Sequence, residues 1–548
     1  MSASNPTTLT GNIVDLPNRR VFPGTLRLAD GRIEAVIPAG GPFSTWIVPG
    51  FVDAHVHVES SLLVPSEFAR LAVIHGTVAT VSDPHEIANV LGREGVDFMI
   101  ANGREVNFHF AFGAPSCVPA TPFETAGDTL DPAAVADLLR REDVPYLSEM
   151  MNFPGVVNGD ADVLAKLETA RRLGKPVDGH APGLRGGGLA QYAAAGISTD
   201  HECFQLNEAL EKRKHGMKIA LREGSAARNF DELAPLLRDH ADHCFFCADD
   251  KHCDSLLLHH IDELVRRAIR LGNDPLAMLR VASLNPILHY GLPVGLLREG
   301  DSADFLEISS LDADFRVLRT FIRGVPVAEN GRSLLPGVPV KPVNRFHARQ
   351  VPVDAFRVRN EPGKTLRVIE AREHQLVTGC LRLSATERDG LAVADPDRDL
   401  LKITVVNRYA EAPPAVGFIR NIGLKHGALA SSVAHDSHNI VAVGADDESL
   451  AAAVNLVMEH RGGLAAVSGD TREILPLPVA GLMSEGDGFA VAAAYTKLEE
   501  TAKRFGTPLA SPFMTLSFMA LLVIPSLKLS DKGLFDGDQF RFTDLFGD

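Results

Sequence analysis

The sequence of 548 residues contains few cysteines, a single tryptophan and no long apolar run. Six cysteines are too few for a disulfide framework in a chain of this length. A membrane-spanning helix needs about 18 or more consecutive apolar residues, and no segment comes near that length. The N-terminal residues also lack the basic start and apolar stretch of a signal peptide. We therefore expect a cytoplasmic enzyme or binding protein with no membrane partner.

Positive charge is also in short supply. Lysine and arginine number 54 against 70 aspartates and glutamates, so the net charge is −16. A chain this acidic is a poor general binder of phosphate backbones, and we expect no nucleic-acid partner. A free base or nucleoside carries little charge and remains a possible ligand. The apolar share of 45% and the charged share of 23% are those of a globular protein and exclude disorder on a large scale.

The pattern of apolar residues divides the chain into four parts. Residues 1–50 form short β patterns, which include a hairpin turn at Asp30-Gly31. Across residues 51–295, short apolar strands alternate with amphipathic helices in seven or eight units, which predicts a (β/α)8 TIM barrel of the α/β class. Residues 296–345 are β-rich again and could complete a small β-sandwich with the first part. After a proline-rich linker that starts near residue 336, residues 346–548 contain a C-terminal α/β domain.

The clearest chemical motif is His55-Val56-His57 at the end of an apolar strand pattern. Residues two apart in a strand lie on the same face, so both imidazoles can bind one metal ion. Further ligand types follow the apolar cores of later strands, at the barrel end where active sites form. The predicted metal ligands are His55, His57, Glu149, His180, His201 and Asp249. They suffice for two adjacent ions, which can bridge a hydroxide and direct it at an electrophilic carbon.

Other polar residues are candidates for substrate binding, and each has a simpler alternative. Asp83 and His85 end the second strand pattern and could bind metal or substrate, although Asp83 could merely start a turn. Asp250 is either a substrate contact or a solvated neighbour of the last predicted ligand. His435 and His438 lie between apolar runs of the C-terminal domain. That pair could close over the barrel mouth or lie in a solvated loop.

The motifs resemble the amidohydrolase superfamily over about residues 20–330, beginning with PGFVDAHVH at 49–57. Within the superfamily, the closer resemblance is to the bacterial adenine deaminases. The segments that carry it are HVHVESS (55–61), SDPHEIANV (82–90), SEMMNFPGVV (148–157), DGHAPG (178–183), ADDKH (248–252) and NIGLKHGALASSVAHDSHNIVAVG (421–444). Many relatives carry a carbamylated lysine at the fourth strand, where this chain has Glu149. The resemblance therefore implies that a glutamate bridges the two ions and counts against a hydantoinase or dihydroorotase.

The resemblance also implies a reaction, namely metal-dependent hydrolytic deamination of adenine to hypoxanthine and ammonia by a metal-bridged hydroxide. Asp249 would take the proton of the hydroxide and deliver it to the leaving amine. Glu59, or as second choice Glu86, would protonate the ring, although Glu59 could instead cap a backbone N–H. Two alternatives stay open, which are hydrolysis of another heterocyclic amine or cyclic amide, and a metal-binding protein without catalysis. The resemblance ranks Mn or Fe above Zn, and we expect a homodimer that binds a purine base.

Overall fold

The computed structural model describes residues 7–225, 227–373 and 375–547. The first strands are β1 (Thr7–Asp15), β2 (Arg20–Ala29), β3 (Arg32–Pro38) and β4 (Trp46–Pro49). The barrel strands are β5 (Phe51–Val56), β6 (Thr77–Ser82), β7 (His109–Phe112), β8 (Leu147–Met150), β9 (Val177–Gly179), β10 (Thr199–Asp200), β11 (Lys218–Arg222) and β12 (Cys244–Cys247). The helices among and after them are α1 (Pro65–Ala72), α2 (His85–Leu91), α3 (Arg93–Gly103), α4 (Pro132–Leu139), α5 (Phe153–Asn158), α6 (Ala161–Arg172), α7 (Gly186–Ala194), α8 (Leu206–Lys214), α9 (Phe230–Leu233), α10 (Leu236–His240), α11 (Cys253–Leu258), α12 (Ile261–Arg270), α13 (Pro275–Leu279) and α14 (Asn285–Tyr290).

The remainder of the chain adds a second set of strands, two long α-helices and one short one. The strands that follow the barrel are β13 (Phe305–Ile308), β14 (Val317–Ile322), β15 (Val325–Glu329) and β16 (Arg332–Ser333). The C-terminal domain contains β17 (Val358–Arg359), β18 (Thr365–Glu370), β19 (Gly379–Leu383), β20 (Thr386–Arg388), β21 (Leu391–Val393), β22 (Leu401–Val406), β23 (Ala415–Arg420), β24 (Ala428–Ser431), β25 (Ile440–Gly444), α15 (Asp447–Glu459), β26 (Gly463–Ser468), β27 (Thr471–Pro476), α16 (Gly488–Arg504), α17 (Pro512–Ser517), β28 (Leu527–Ser530), β29 (Gly533–Asp536), β30 (Arg541–Phe542) and β31 (Phe546–Gly547).

The N-terminal strands and the strands after the barrel form one sheet of eight strands, in the order β16-β15-β14-β13-β4-β1-β2-β3. The two segments join where β13 pairs antiparallel with β4, with Leu306 opposite Val48. The predicted pairing of these distant segments is therefore confirmed. The β2–β3 hairpin turns at Asp30-Gly31, where both residues have positive φ, at 50° and 77°. Such angles define the tight hairpin turn that the dipeptide predicts.

Strands β5 to β12 are eight parallel strands that close into the predicted barrel. β5-β6-β7, β8-β9 and β10-β11-β12 form three parallel ladders. A parallel bridge between Ala114 and Leu147 continues from β7 toward β8, and one between Val56 and Asp249 joins β12 to β5. The barrel strands are buried on both faces, as helix-covered parallel strands are. Helix α12 shows the complementary pattern, because Ile261, Leu264 and Ala268 form its buried face.

The C-terminal domain contains a larger sheet and contacts the carboxyl end of the barrel. Its sheet runs β19-β18-β23-β22-β25-β24-β26-β27, with β31 beside β18. The backbone N–H of Ser484 donates to the carbonyl of Leu62 at 2.8 Å, which links the domain to the loop after β5. The proline-rich segment of residues 336–352 contains no helix or strand, but Phe346 within this segment is buried in the core of the C-terminal domain. No helix of the described residues is both long and apolar enough to cross a bilayer.

Candidate metal-dependent active site

The six predicted metal ligands meet at the carboxyl end of the barrel. His55 lies in β5 and His57 follows it, Glu149 lies in β8, and the other three follow β9, β10 and β12. All six are at least nine-tenths buried. We call them the inner cluster: His55, His57, Glu149, His180, His201 and Asp249. Because parallel strands end at one rim of the barrel, residues nearly 200 positions apart in the sequence converge on one point.

One half of the inner cluster is built around Asp249. Its Oδ1 lies 3.5 Å from Nε2 of His55 and 3.2 Å from Nε2 of His57. The Nδ1 of His57 lies 3.1 Å from the carbonyl oxygen of Asp83 and donates to it. This hydrogen bond fixes the tautomer, so that the lone pair of Nε2 faces the cluster.

Glu149 connects this half to the other histidines. Its Oε1 lies 3.3 Å from Nε2 of His57, while its Oε2 lies 3.2 Å from Nε2 of His201. The same Oε2 lies 2.7 Å from Nδ1 of His180. The two oxygens of one carboxylate therefore face two different histidine groups, which is the arrangement that a bridge between two ions requires.

The spacing of these atoms fits metal ligands better than a hydrogen-bonded core. Nitrogen and oxygen ligands about 2.1 Å from one ion lie roughly 3.0–3.4 Å from each other. Several inner-cluster distances, at 3.2 and 3.3 Å, fall in that range. Both ring nitrogens of His55 are buried without a hydrogen-bond partner among the described residues. A buried imidazole without a partner is costly, and a bound cation removes that cost.

Glu202 and Arg222 adjoin the cluster and were not predicted, and Glu202 also lines the cavity. The fully buried guanidinium of Arg222 donates from Nη1 to Oδ2 of Asp249 at 2.6 Å and also to Glu202. Burial raises the pKa of the Asp249 carboxyl, but Arg222 and the facing histidines outweigh it and hold that pKa well below its usual range. Arg222 is the last residue of strand β11. A search of the strand ends for positively charged residues, as well as for metal ligands, would therefore have found it.

A buried lysine ties together the two loops that carry His180 and His201. The Nζ of Lys212 lies 2.6 Å from the carbonyl of Ala181 and 3.0 Å from Oδ1 of Asp200. The other oxygen of Asp200 accepts the backbone N–H of Ala181 at 3.0 Å. Lys212 thus holds each loop through the residue next to its histidine, which is Ala181 beside His180 and Asp200 beside His201.

The C-terminal domain contributes a second histidine group at the edge of the site. Nδ1 of His435 and Nε2 of His438 each lie 2.5 Å from a different oxygen of Glu86. These contacts are too short for ligands that share one ion, and they are hydrogen bonds to a common carboxylate. The backbone N–H of Ala434 donates to Nδ1 of His438, so His438 uses its Nε2 proton for Glu86. The predicted closure of the barrel mouth by this loop is present in the structure.

Glu59 lies elsewhere than a ring-protonating residue should. It is buried beside the cavity without lining it, and its Oε1 accepts the backbone N–H of Ile87 at 3.2 Å. The short helix Val58–Ser61 turns the side chain toward the start of α2, which is the backbone-capping alternative. Burial raises the pKa of Glu59 to about 7. Glu86, the second choice, does line the cavity.

The remaining predicted substrate residues fall into two groups. His85 and Asp250 line the cavity, and Asp250 accepts a 2.5 Å hydrogen bond from the hydroxyl of Ser60. Asp83 and His438 do not line it and instead contact His57 and Glu86. The sequence offered all four as substrate contacts and left a simpler alternative open for each, because position in the sequence does not reveal which side chains face the cavity.

An apolar roof from the C-terminal domain covers the inner cluster. We call Leu376, Phe518, Leu521 and Val523 the roof. Beneath it the cavity encloses about 30 Å³, which is room for about one water molecule. Asp436 also lines this space, and neither it nor the roof was predicted. No sequence signal distinguishes an apolar roof residue from an apolar core residue.

Two family models match separate parts of the chain. Residues 46–327 match the model of the amidohydrolase family, and residues 375–541 match that of the adenine deaminase C-terminal domain. An adenine deaminase of Salinibacter ruber is 57% identical over 542 residues, which cover 98% of this chain and 99% of the relative. An adenine deaminase of Methanosarcina acetivorans is 52% identical over 548 residues, with coverage of 98% and 99%. The similarity thus extends over the barrel and the roof-bearing domain alike.

Proposed function

Because the chain belongs to the adenine deaminase family of amidohydrolases, its reaction is the hydrolytic deamination of adenine, and we propose that the inner cluster performs it with two divalent ions. Water replaces the amine at C6 of the base, and hypoxanthine and ammonia are the products. The observation that carries the proposal is the carboxylate of Glu149, whose oxygens face two histidine groups. That geometry supports a site for two ions.

The donor set is compatible with several metals. Imidazole and carboxylate ligands suit Mn, Fe and Zn alike, and we propose Mn or Fe as the working ions on the strength of the family resemblance. When bound, such ions lower the pKa of water enough to supply hydroxide near neutral pH. His55, His57 and Asp249 would hold one ion and His180 and His201 the other, with the carboxylate of Glu149 facing His57 on one side and His201 on the other.

Asp249 is proposed to move the proton that water loses on attack. Its Oδ1 faces the histidines and its Oδ2 is fixed by Arg222, so the carboxylate has one preferred orientation. From there it can accept the proton and pass it to the amine, which then leaves as ammonia. General acid–base catalysis of this kind contributes about 10²–10⁴-fold to a rate.

The proton that the ring needs is proposed to come from His435, held by Glu86. His435 lines the cavity, and its Nε2 is buried without a hydrogen-bond partner among the described residues. Burial lowers the pKa of His435, but the Glu86 carboxylate outweighs it and raises that pKa to about 9. His435 therefore carries a proton at neutral pH. We propose this pair in place of Glu59, with His85 and Asp250 as further contacts of the base.

We expect the protein to act on the free base and to discriminate against the nucleoside. The space beneath the roof is small, about 30 Å³, so it suits the flat base better than the same base with a bulky ribose attached. The test is ammonia release by Mn²⁺-loaded protein from adenine, adenosine, cytosine and dihydroorotate in parallel. Adenine should react with a kcat/KM at least about 100-fold above that of adenosine. Comparable rates for adenosine would show that the roof does not select, and no release from any purine would contradict the reaction itself.

Two properties of the whole protein complete the proposal. The six cysteines form no disulfide, and five of them are buried, which supports a reducing, cytoplasmic location. We also propose a homodimer, because two-fold symmetric dimers are the commonest soluble oligomers. Light scattering of the purified protein measures this directly.

A further inference from the structure

The roof consists of two segments that are distant in the sequence. Leu376 precedes β19, whereas Phe518 follows α17. The ring of Phe518 stacks on the imidazole of His435, with ring centroids 4.6 Å apart and an angle of 14° between the planes. The position of the roof therefore affects the residue that faces the base.

The side chain of Lys528, in β28, joins these two segments. Its Nζ donates to the carbonyl of Leu376 at 2.7 Å and to the carbonyl of Phe518 at 2.9 Å. Thr378 adds a second connection nearby, because its hydroxyl donates to the carbonyl of Leu527 at 2.8 Å and accepts the N–H of Ser526 at 3.2 Å. Both ends of the roof are thus anchored on one strand.

Lys528 is unusual because it is fully buried and lacks a counter-ion. No carboxylate of the described residues lies within salt-bridge distance of its Nζ, and burial lowers its pKa to about 7. A buried amine without a charged partner costs stability, and an apolar side chain of similar volume would cost less. An apolar side chain, however, cannot bind two carbonyl groups at once.

We propose that Lys528 is a positioning residue that holds the two roof segments together over the bound base. It acts through Leu376 and Phe518 and does not touch the inner cluster. The inference rests on the proposed function only for its kinetic readout, because the order of the roof can also be measured without substrate.

The main test is Lys528→Met, which keeps an unbranched side chain of nearly the same length and removes the donors. Loss of the two hydrogen bonds should make the roof more mobile and weaken its contacts with the bound base. We expect the KM for adenine to rise about tenfold while kcat changes less than about threefold, since the roof contacts serve binding. Hydrogen exchange of metal-loaded protein without substrate should become about tenfold faster at the amides of residues 376–378 and 518–523.

Lys402→Met is the matched control. Lys402 is also a buried lysine of the C-terminal domain, where its Nζ binds the carbonyl of Phe356 and the carboxylate of Asp447. This variant should lose stability without a change in KM or in exchange at the roof. If both variants raise KM equally, the effect of Lys528 is merely structural and the proposal is wrong.

Thr378→Val provides a second test if Lys528→Met does not fold. It is close to isosteric and removes only the hydroxyl connections, so KM should rise about threefold with kcat unchanged. Unchanged KM and unchanged roof exchange in the folded variants would overturn the proposal. If the wild-type protein released no ammonia from adenine but Lys528→Met still showed faster exchange at the roof, the proposed function would be refuted and the role of Lys528 as a positioning residue would stand.

Discussion

Asp249→Asn should lower kcat/KM for adenine by about 10³-fold or more. Asparagine keeps the shape of the side chain but cannot accept the proton that water loses, and proton transfer alone is worth about 10²–10⁴-fold. It also leaves Arg222 without one of its two carboxylate partners. Steady-state ammonia release over a range of adenine concentrations measures the loss.

Asp239→Asn is the control for this change, because Asp239 is exposed in α10, the helix before β12. It should behave as wild type. The metal content of each variant is measured as well. If the protein bound metal or ligand without catalysis, the Asp249→Asn variant would keep that binding and the wild-type protein itself would show no turnover. An Asp249→Asn protein with metal bound and activity within tenfold of wild type would exclude Asp249 from proton transfer.

Glu149→Gln should remove one of the two ions and nearly all of the activity. An amide offers one oxygen and one NH2 group, so it cannot face both histidine groups with acceptors as the carboxylate does. We expect the content of bound Mn²⁺ to fall from two per chain to about one, and kcat to fall by about 10³-fold. Elemental analysis after removal of free metal, together with the ammonia assay, measures both quantities.

Glu142→Gln, at an exposed glutamate shortly before β8, provides the comparison. It should retain two ions and full activity. Retention of two ions by Glu149→Gln would mean that the bridge is formed by other ligands, and the role assigned to this carboxylate would then be wrong.

The inner cluster could be predicted from the sequence because strand geometry is local. His55 in β5 and His57 just after it both face Asp249, and Glu149 and Asp249 come where apolar strands turn polar. The barrel then brings all strand ends to one rim, so no contact had to be inferred pair by pair. The pairing of the two β-rich segments that flank the barrel followed for a similar reason, whereas the structure joins them in one eight-stranded sheet.

The surroundings of the cluster could not be predicted, because they depend on contacts between distant parts of the chain. Glu86 and His435 are 349 residues apart, and nothing near either one indicates the other. Glu59 was preferred to Glu86 because it lies just past His55-Val56-His57, yet a short helix turns it toward Ile87. Sequence proximity to a motif is thus a weaker guide than position on a strand end.

The most direct test of the account is a titration of metal-free protein with Mn²⁺ while ammonia release from adenine is followed. We predict no turnover without metal, a rise with each addition, and a plateau at two ions per chain. A plateau at one ion, or turnover by the metal-free protein, would contradict the assignment of Glu149 as the bridge of a two-ion site.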